Sequence, residues 1–263
     1  MRIEPLGFLE TYLWLLGPML LRYIILASAV HGYFWGGRKP ASFTFRLAKL
    51  APQAKHVWRE ARTALAASLI FAFPAAVLFD AFEAGGTALY WRWPTGLAEW
   101  LWIPGAIAFL LLIHDTYFYW THRAMHLPRF YKATHHTHHI SKQPTAFASF
   151  AFHPWEAIIS SWLIPTLAFL VPMHLGAFAA FVMLATMSAV INHAGWEVFP
   201  KSFLDGPIGR WIITARHHNL HHTKFKRNYG LYFRFWDKAM GTDDMSGDPM
   251  ETEPAPAAAV LAE

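Results

Sequence analysis

Apolar runs long enough to cross a bilayer constrain this chain more than any other feature. About 30 Å of hydrocarbon takes about 20 helical residues, and inside it every backbone amide and carbonyl must be satisfied within the segment. Residues 8–30 form a first run, interrupted by Gly17-Pro18 and by Arg22, which must face protein or snorkel. Residues 63–82 form a second, carrying Pro74 and ending near Asp80 and Glu83. The third starts near Leu97, stays apolar to Ile113 and continues into the aromatic stretch Tyr117–Trp120, which suits an interfacial belt. Residues 155–171 and 177–191 are shorter and joined by Pro172-Met173-His174-Leu175-Gly176, so they read as a shallow or tilted hairpin. The fold expected is all-α: a multi-pass integral membrane helical bundle with a cytosolic histidine-rich helical cap. A charged fraction of 15% beside 55% hydrophobic residues agrees, since soluble domains carry about 25% charged residues. No small-residue cleavage site follows the first run, which reads as a retained anchor.

The net charge of +5 invites a nucleic-acid reading until the basic residues are placed. Lys and Arg concentrate in residues 31–62, 122–154 and from 193 onward, whereas the 84–96 loop holds only Arg92. Positive residues stay on the cytoplasmic side, so the surplus reports orientation and no nucleic-acid partner is expected. The same distribution requires an even number of crossings between 62 and 122, and again between 154 and 193. Compact loops favour a bacterial inner membrane over the endoplasmic reticulum. Residues 243–263, rich in Pro and Ala from Glu253, read as a mobile tail.

Sixteen histidines and no cysteine come next. Thiolate zinc sites, iron–sulfur clusters and cysteine nucleophiles are excluded together. His122 and His126 stand four apart, on one face of a helix leaving the third run. His135, His138 and His139 form H-x-x-H-H, with His136 pointing about 100° away. His218, His221 and His222 repeat that pattern, with His217 as the extra. His193 stands where the hairpin returns to the same side. His31, His56, His114, His153 and His174 are scattered and are read as packed or hydrogen-bonded side chains. Imidazoles crowded together repel when protonated and bury poorly when unpaired; a metal resolves both, because it binds the neutral ring. Nine candidates, His122, His126, His135, His138, His139, His193, His218, His221 and His222, exceed what one ion can use. They suit two metals with open positions, and spacing alone leaves zinc and iron both open.

The flanks narrow the choice. Tyr119-Trp120-Thr121-His122-Arg123-Ala124-Met125-His126, His135-His136-Thr137-His138-His139, Phe147-Ala148-Ser149-Phe150-Ala151-Phe152-His153-Pro154, and His218-Asn219-Leu220-His221-His222 with Asn228-Tyr229-Gly230 and Trp236-Asp237 together resemble the fatty acid hydroxylase and sterol desaturase superfamily. The resemblance covers residues 97–242, expected as the catalytic domain, after membrane helices and a basic loop in residues 1–96. It implies a non-haem di-iron enzyme at the cytosolic face that uses O2 and two electrons to hydroxylate or desaturate lipid chains. It makes His122 and His126 the first box, His135, His138 and His139 the second, His218, His221 and His222 the third, and His193 an additional ligand. His217 and His153 match family positions near the metals, as extra ligands or outer partners. Asp115, seven residues before His122, is a candidate to orient a ligand imidazole, or else a cap or a partner of Arg123. No Glu-x-x-His motif occurs in the spans, in keeping with an imidazole-rich site. Arg123, Arg216, Lys224, Lys226 and Arg227 border the boxes and are candidates to steady lipid phosphates or an acidic electron donor. No His-Pro-Gly-Gly motif is present, so electrons are expected from a separate ferredoxin or from a cytochrome b5-type donor with its reductase. Lipid hydroxylation is expected first, with desaturation or ether cleavage as alternatives. A histidine-rich membrane metal-binding or transport protein is the rival from another class.

Overall fold

The computed structural model describes residues 7–37 and 40–252. In chain order the helices are α1 (Phe8–Trp35), α2 (Ala54–Glu83), α3 (Leu97–Met125), α4 (Pro128–Thr134), α5 (His136–His139), α6 (Pro154–Ser161), α7 (Leu163–Leu170), α8 (Leu175–Asn192), α9 (Lys201–Leu204), α10 (Ala215–Lys224), α11 (Phe235–Ala239) and α12 (Pro249–Thr252). Four of them, α1, α2, α3 and α8, are long and apolar enough to cross a membrane. The expectation of an all-α bundle with a histidine-rich helical region holds.

Each long helix is bounded by recognisable chemistry. The Glu10 carboxylate reaches back to the Gly7 amide at 3.0 Å, satisfying a donor that the first turn of α1 leaves open. Gly85, with φ +72, supplies the left-handed residue just beyond α2 that a side chain would resist. Helix α3 does not stop where its apolar run ends; it continues through the aromatic stretch to Met125 and so carries His122 on the same rigid rod. The hairpin's first arm breaks at Trp162 into α6 and α7, each of eight residues, so this arm is a bent pair of short helices.

Two small sheets staple opposite ends of the bundle. Strand β1 (Phe45–Arg46) pairs antiparallel with β4 (Trp196–Glu197), and β2 (Leu89–Tyr90) pairs parallel with β3 (Met173–His174). The loops that the charge distribution put on one side are therefore joined to each other, and the 84–96 loop is joined to the hairpin turn at the other end. Small residues let the rods approach closely: Ala27, Ala64, Ala146 and Val190 pack around Tyr23, whose hydroxyl donates to the Phe147 carbonyl at 2.8 Å. A second apolar core, including Leu78, Leu110, Leu167 and Phe181, fills the end away from the histidines. Leu9, Leu13, Leu21 and Leu101 face outward, as hydrocarbon-facing residues should.

The tail differs from expectation in its first part. Asp243 pairs with Arg234 at 2.7 Å, and Asp248 is fully buried beside Arg216 at 3.2 Å, so residues 243–252 are fastened to the fold by ion pairs. Residues 253–263, the Pro- and Ala-rich part, lie outside the described residues.

Candidate metal centre

Four structural units deliver the histidines. The last turn of α3 carries His122, with His126 capping it. Pro128 starts α4, which turns the chain back so that His135 follows it and α5 presents His138 and His139. His193 caps the carboxyl end of α8, and α10 carries His218, His221 and His222. The structure brings these nine side chains into two groups: His122, His126, His135, His139 and His221 in one, His138, His193, His218 and His222 in the other. Within each group one ring nitrogen per residue lies within 4.8 Å of the others. Each H-x-x-H-H box is divided between the groups, a partition that spacing along the chain does not show.

Hydrogen bonding fixes which nitrogen faces inward. A carbonyl only accepts, so a ring nitrogen beside one must carry the proton. His122 donates from Nδ1 to the Tyr229 carbonyl at 2.8 Å, His193 to that of Ala189 at 2.7 Å, His221 to that of Arg227 at 2.7 Å and His222 to that of Ser141 at 2.9 Å. His135 donates to the Glu156 carboxylate at 2.7 Å. In these neutral rings Nε2 keeps a bare lone pair, yet the Nε2 atoms of His122 and His135 stand 2.9 Å apart. His193 Nε2 stands 2.8 Å from His218 Nε2, which is 3.0 Å from that of His222. Lone pairs set face to face repel unless a cation lies between them. With metal–nitrogen bonds of about 2.1 Å, ligands at right angles lie about 3.0 Å apart and tetrahedral ones about 3.4 Å. The observed spacings, 2.8–3.2 Å, fall in the range that ligands of one ion adopt, so the donor set fits two metal ions.

Burial keeps the rings neutral, as ligation requires. Desolvation, then neighbouring imidazoles, push His135, His139, His218 and His222 well below the ordinary 6.5; desolvation pushes His193 down to about 4. The other predicted residues stand apart from both groups. His217 packs its Nδ1 against the Thr214 amide at 3.1 Å, within the amino-terminal turn of α10. His153 accepts from the Trp155 amide at 3.3 Å and caps α6. His136 is exposed.

Asp115 requires a correction: its carboxylate contacts neither an imidazole nor Arg123. Oδ1 accepts from the amides of Leu231, Tyr232 and Phe233 at 3.1, 2.7 and 3.2 Å. Asp237 holds the preceding amides, Tyr229 at 2.9 Å and Gly230 at 2.8 Å. Three backbone donors satisfy a buried carboxylate better than one ring could. Together the two aspartates clamp the 229–233 loop, whose Tyr229 carbonyl orients His122. Among the bordering cations, Arg123 donates to Tyr119, Arg216 pairs with Asp248, Lys224 with Asp244, and Arg227 donates to the Gly241 carbonyl. Lys226 is exposed.

Sequence reasoning missed Glu156. It is the only acidic residue in the 155–171 run, and an isolated charge in such a run was the signal available. The N-terminal helices also contribute more than anchorage. A cavity of about 470 Å³ reaches His122, His135, His138, His193 and His218 at one end; elsewhere it is lined by Leu15 and Met19 of α1, Phe71 and Phe79 of α2, and Phe178 of α8. That volume suits a small-molecule ligand, and the walls are mainly apolar.

Comparison with known proteins agrees with this arrangement. A family model described as fatty acid hydroxylase matches residues 107–242. Lathosterol oxidase of Homo sapiens is 34% identical over 151 residues, 57% of this chain and 48% of that protein. A Delta(7)-sterol 5(6)-desaturase of Aspergillus fumigatus is 34% identical over 183 residues, 68% of this chain and 51% of its own length. A C-4 methylsterol oxidase of Schizosaccharomyces pombe is 30% identical over 201 residues, 74% and 65% of the two chains. This chain spans about half the length of the first two of these relatives. No solved structure matches it. The family match covers all three histidine boxes, the His193 cap and the 229–233 loop, and the chain belongs to the fatty acid hydroxylase family.

Proposed function

We propose that this chain is an O2-dependent, non-haem di-iron oxygenase of the membrane that hydroxylates a C–H bond of a lipid. The reading is carried by one observation: nine imidazoles in two groups, five of which line the end of an apolar cavity opening along membrane helices. His122, His126, His135, His139 and His221 would hold one iron, and His138, His193, His218 and His222 the other. Bound there, the irons supply the activation of O2, which protein side chains cannot perform. The chain supplies orientation and exclusion of water. Tyr229, Ala189, Arg227 and Ser141 carbonyls and the Glu156 carboxylate aim the rings; Phe118, Phe150 and Phe152 shield the cavity beside them.

The relatives' names favour a sterol or similarly elongated apolar substrate, and the desaturases among them make loss of two hydrogens the second outcome to examine. A metal transporter is disfavoured, since such proteins hold ions near mid-bilayer on broken helices. Here the groups gather at helix ends. The basic surplus supports a cytoplasmic position for that end, where a separate ferredoxin or a cytochrome b5-type protein would deliver electrons; the compact loops favour a bacterial inner membrane.

The test pairs metal analysis of gently purified protein with lipid mass spectrometry of cells with and without the gene. About two irons per chain and an O2-dependent gain of one oxygen in a lipid are expected, both lost in His138→Ala and His221→Ala. Zinc alone, unmoved by iron supplementation, or activity surviving either substitution, overturns the assignment.

A further inference from the structure

Arg22 is the one charged residue in the middle of α1, 14 residues from Phe8 and 13 from Trp35. At 1.5 Å per residue it lies about 20 Å from either end, beyond the reach of a snorkelling side chain. It shares a face with Leu15 and Met19, and all three line the cavity that ends at the histidines. Its Nε is buried without a hydrogen-bond partner, and no acidic group among the described residues lies within ion-pair distance. Three hydroxyls along the same walls are taken up by nearby backbone: Ser149 donates to Ala146 at 3.0 Å, Ser161 to Ile158 at 3.2 Å, and Thr186 to Val182 at 2.8 Å. Glu156, the cavity's carboxylate, is engaged by His135. A guanidinium left unpaired inside a membrane span is costly, and such residues face a functional cavity and find a partner there.

We infer that Arg22 receives the anionic end of the ligand, and that the cavity takes an elongated lipid bearing a carboxylate. The planar guanidinium offers two parallel donors to a carboxylate, a match that a hydroxyl or an ester cannot reproduce. Trp35, at the carboxyl end of α1, donates to the Ala194 carbonyl beside His193 at 3.0 Å, so the end of that helix is level with the histidine groups. The anionic end therefore sits deep in the span, and the apolar body extends toward the histidines. Arg22 thereby sets which carbon of the body arrives there. This deepens the proposed function and rests on the cavity being the lipid site.

The test is binding, measured without turnover. Radiolabelled palmitate is bound to the purified chain in phosphatidylcholine nanodiscs and competed with unlabelled palmitate or with methyl palmitate. The ester cannot form the charge-assisted pair, so palmitate should compete at least about tenfold better than its methyl ester. Arg22→Gln should erase that preference, and Arg22→Lys should retain part of it; iron content and thermal midpoint report whether each variant is folded. Equal competition by the two lipids in the wild type, or a preference unchanged in folded Arg22→Gln, overturns the inference. Because no oxidation is measured, failure of the oxygenase reading appears separately, as absent iron and an unchanged lipid profile.

Discussion

An imidazole that gives its Nδ1 proton to a carbonyl has one lone pair left, and where that pair points decides what the residue can bind. Four of the nine rings are set in this way, and a fifth, His135, gives its proton to Glu156. For His135 the acceptor is a carboxylate, which both orients the ring and makes Nε2 a stronger donor. Glu156→Ala should lower metal affinity by about 10–100-fold, whereas Glu156→Gln, which keeps an accepting oxygen, should lose less. Chelator competition followed by metal analysis measures this, and equal losses in the two variants would contradict the orienting role. The same rings predict a pH dependence. Their folded-state pKa values lie below the ordinary 6.5, so below that pH the unfolded chain binds more protons than the folded one. Stability is therefore complete above about pH 6.5 and falls as pH drops through it, and metal, which needs neutral rings, leaves in the same window. Thermal unfolding and iron retention at pH 7.5 and pH 5.0 should both show the loss; retention equal at the two values counts against it. Eight of the nine rings were legible from spacing, and His193 from its place at the return of the hairpin. Their division into groups of five and four was not, because residues three and four apart on one helical turn can point to either side of a shared axis.

At the scale of elements, the loop 229–233 links the histidines to the rest of the fold. Asp115 of α3 and Asp237 of α11 hold five successive amides of this loop, and its first residue holds His122. Gly230 is required there for space: a Cβ would lie 2.7 Å from the Phe233 carbonyl oxygen and 3.0 Å from Asp237 Oδ2. Gly230→Ala should therefore cost about 1–3 kcal/mol of stability and reduce metal occupancy together with it. A thermal midpoint within experimental error of wild type would refute the tight approach. The sequence placed Asp115 on the face of His122, which is where it lies, but helical periodicity carries no information about which distant strand of backbone will arrive to meet it. The hairpin was likewise legible as short, whereas its break at Trp162 was not.

Across the whole molecule, two sheets of two residues per strand tie like-sided loops together and leave the histidine groups at one end. The absence of cysteine makes the topology directly testable. Lys226→Cys and Ala84→Cys, both exposed, should react with a membrane-impermeant thiol reagent from opposite faces, Lys226→Cys only after the cytoplasmic side is opened. Labelling of both from one face would overturn the orientation. Membrane character, helical class, eight of the nine clustered imidazoles and the family likeness are legible in the chain, because apolar length and i, i+3, i+4 spacing are local properties. Three features emerge in the folded molecule alone: the boxes exchange residues between two groups, Glu156 and four carbonyls aim the rings, and α1 and α2 complete the cavity and bring Arg22 into it. Those depend on contacts between segments far apart in sequence, which packing selects and no local pattern records.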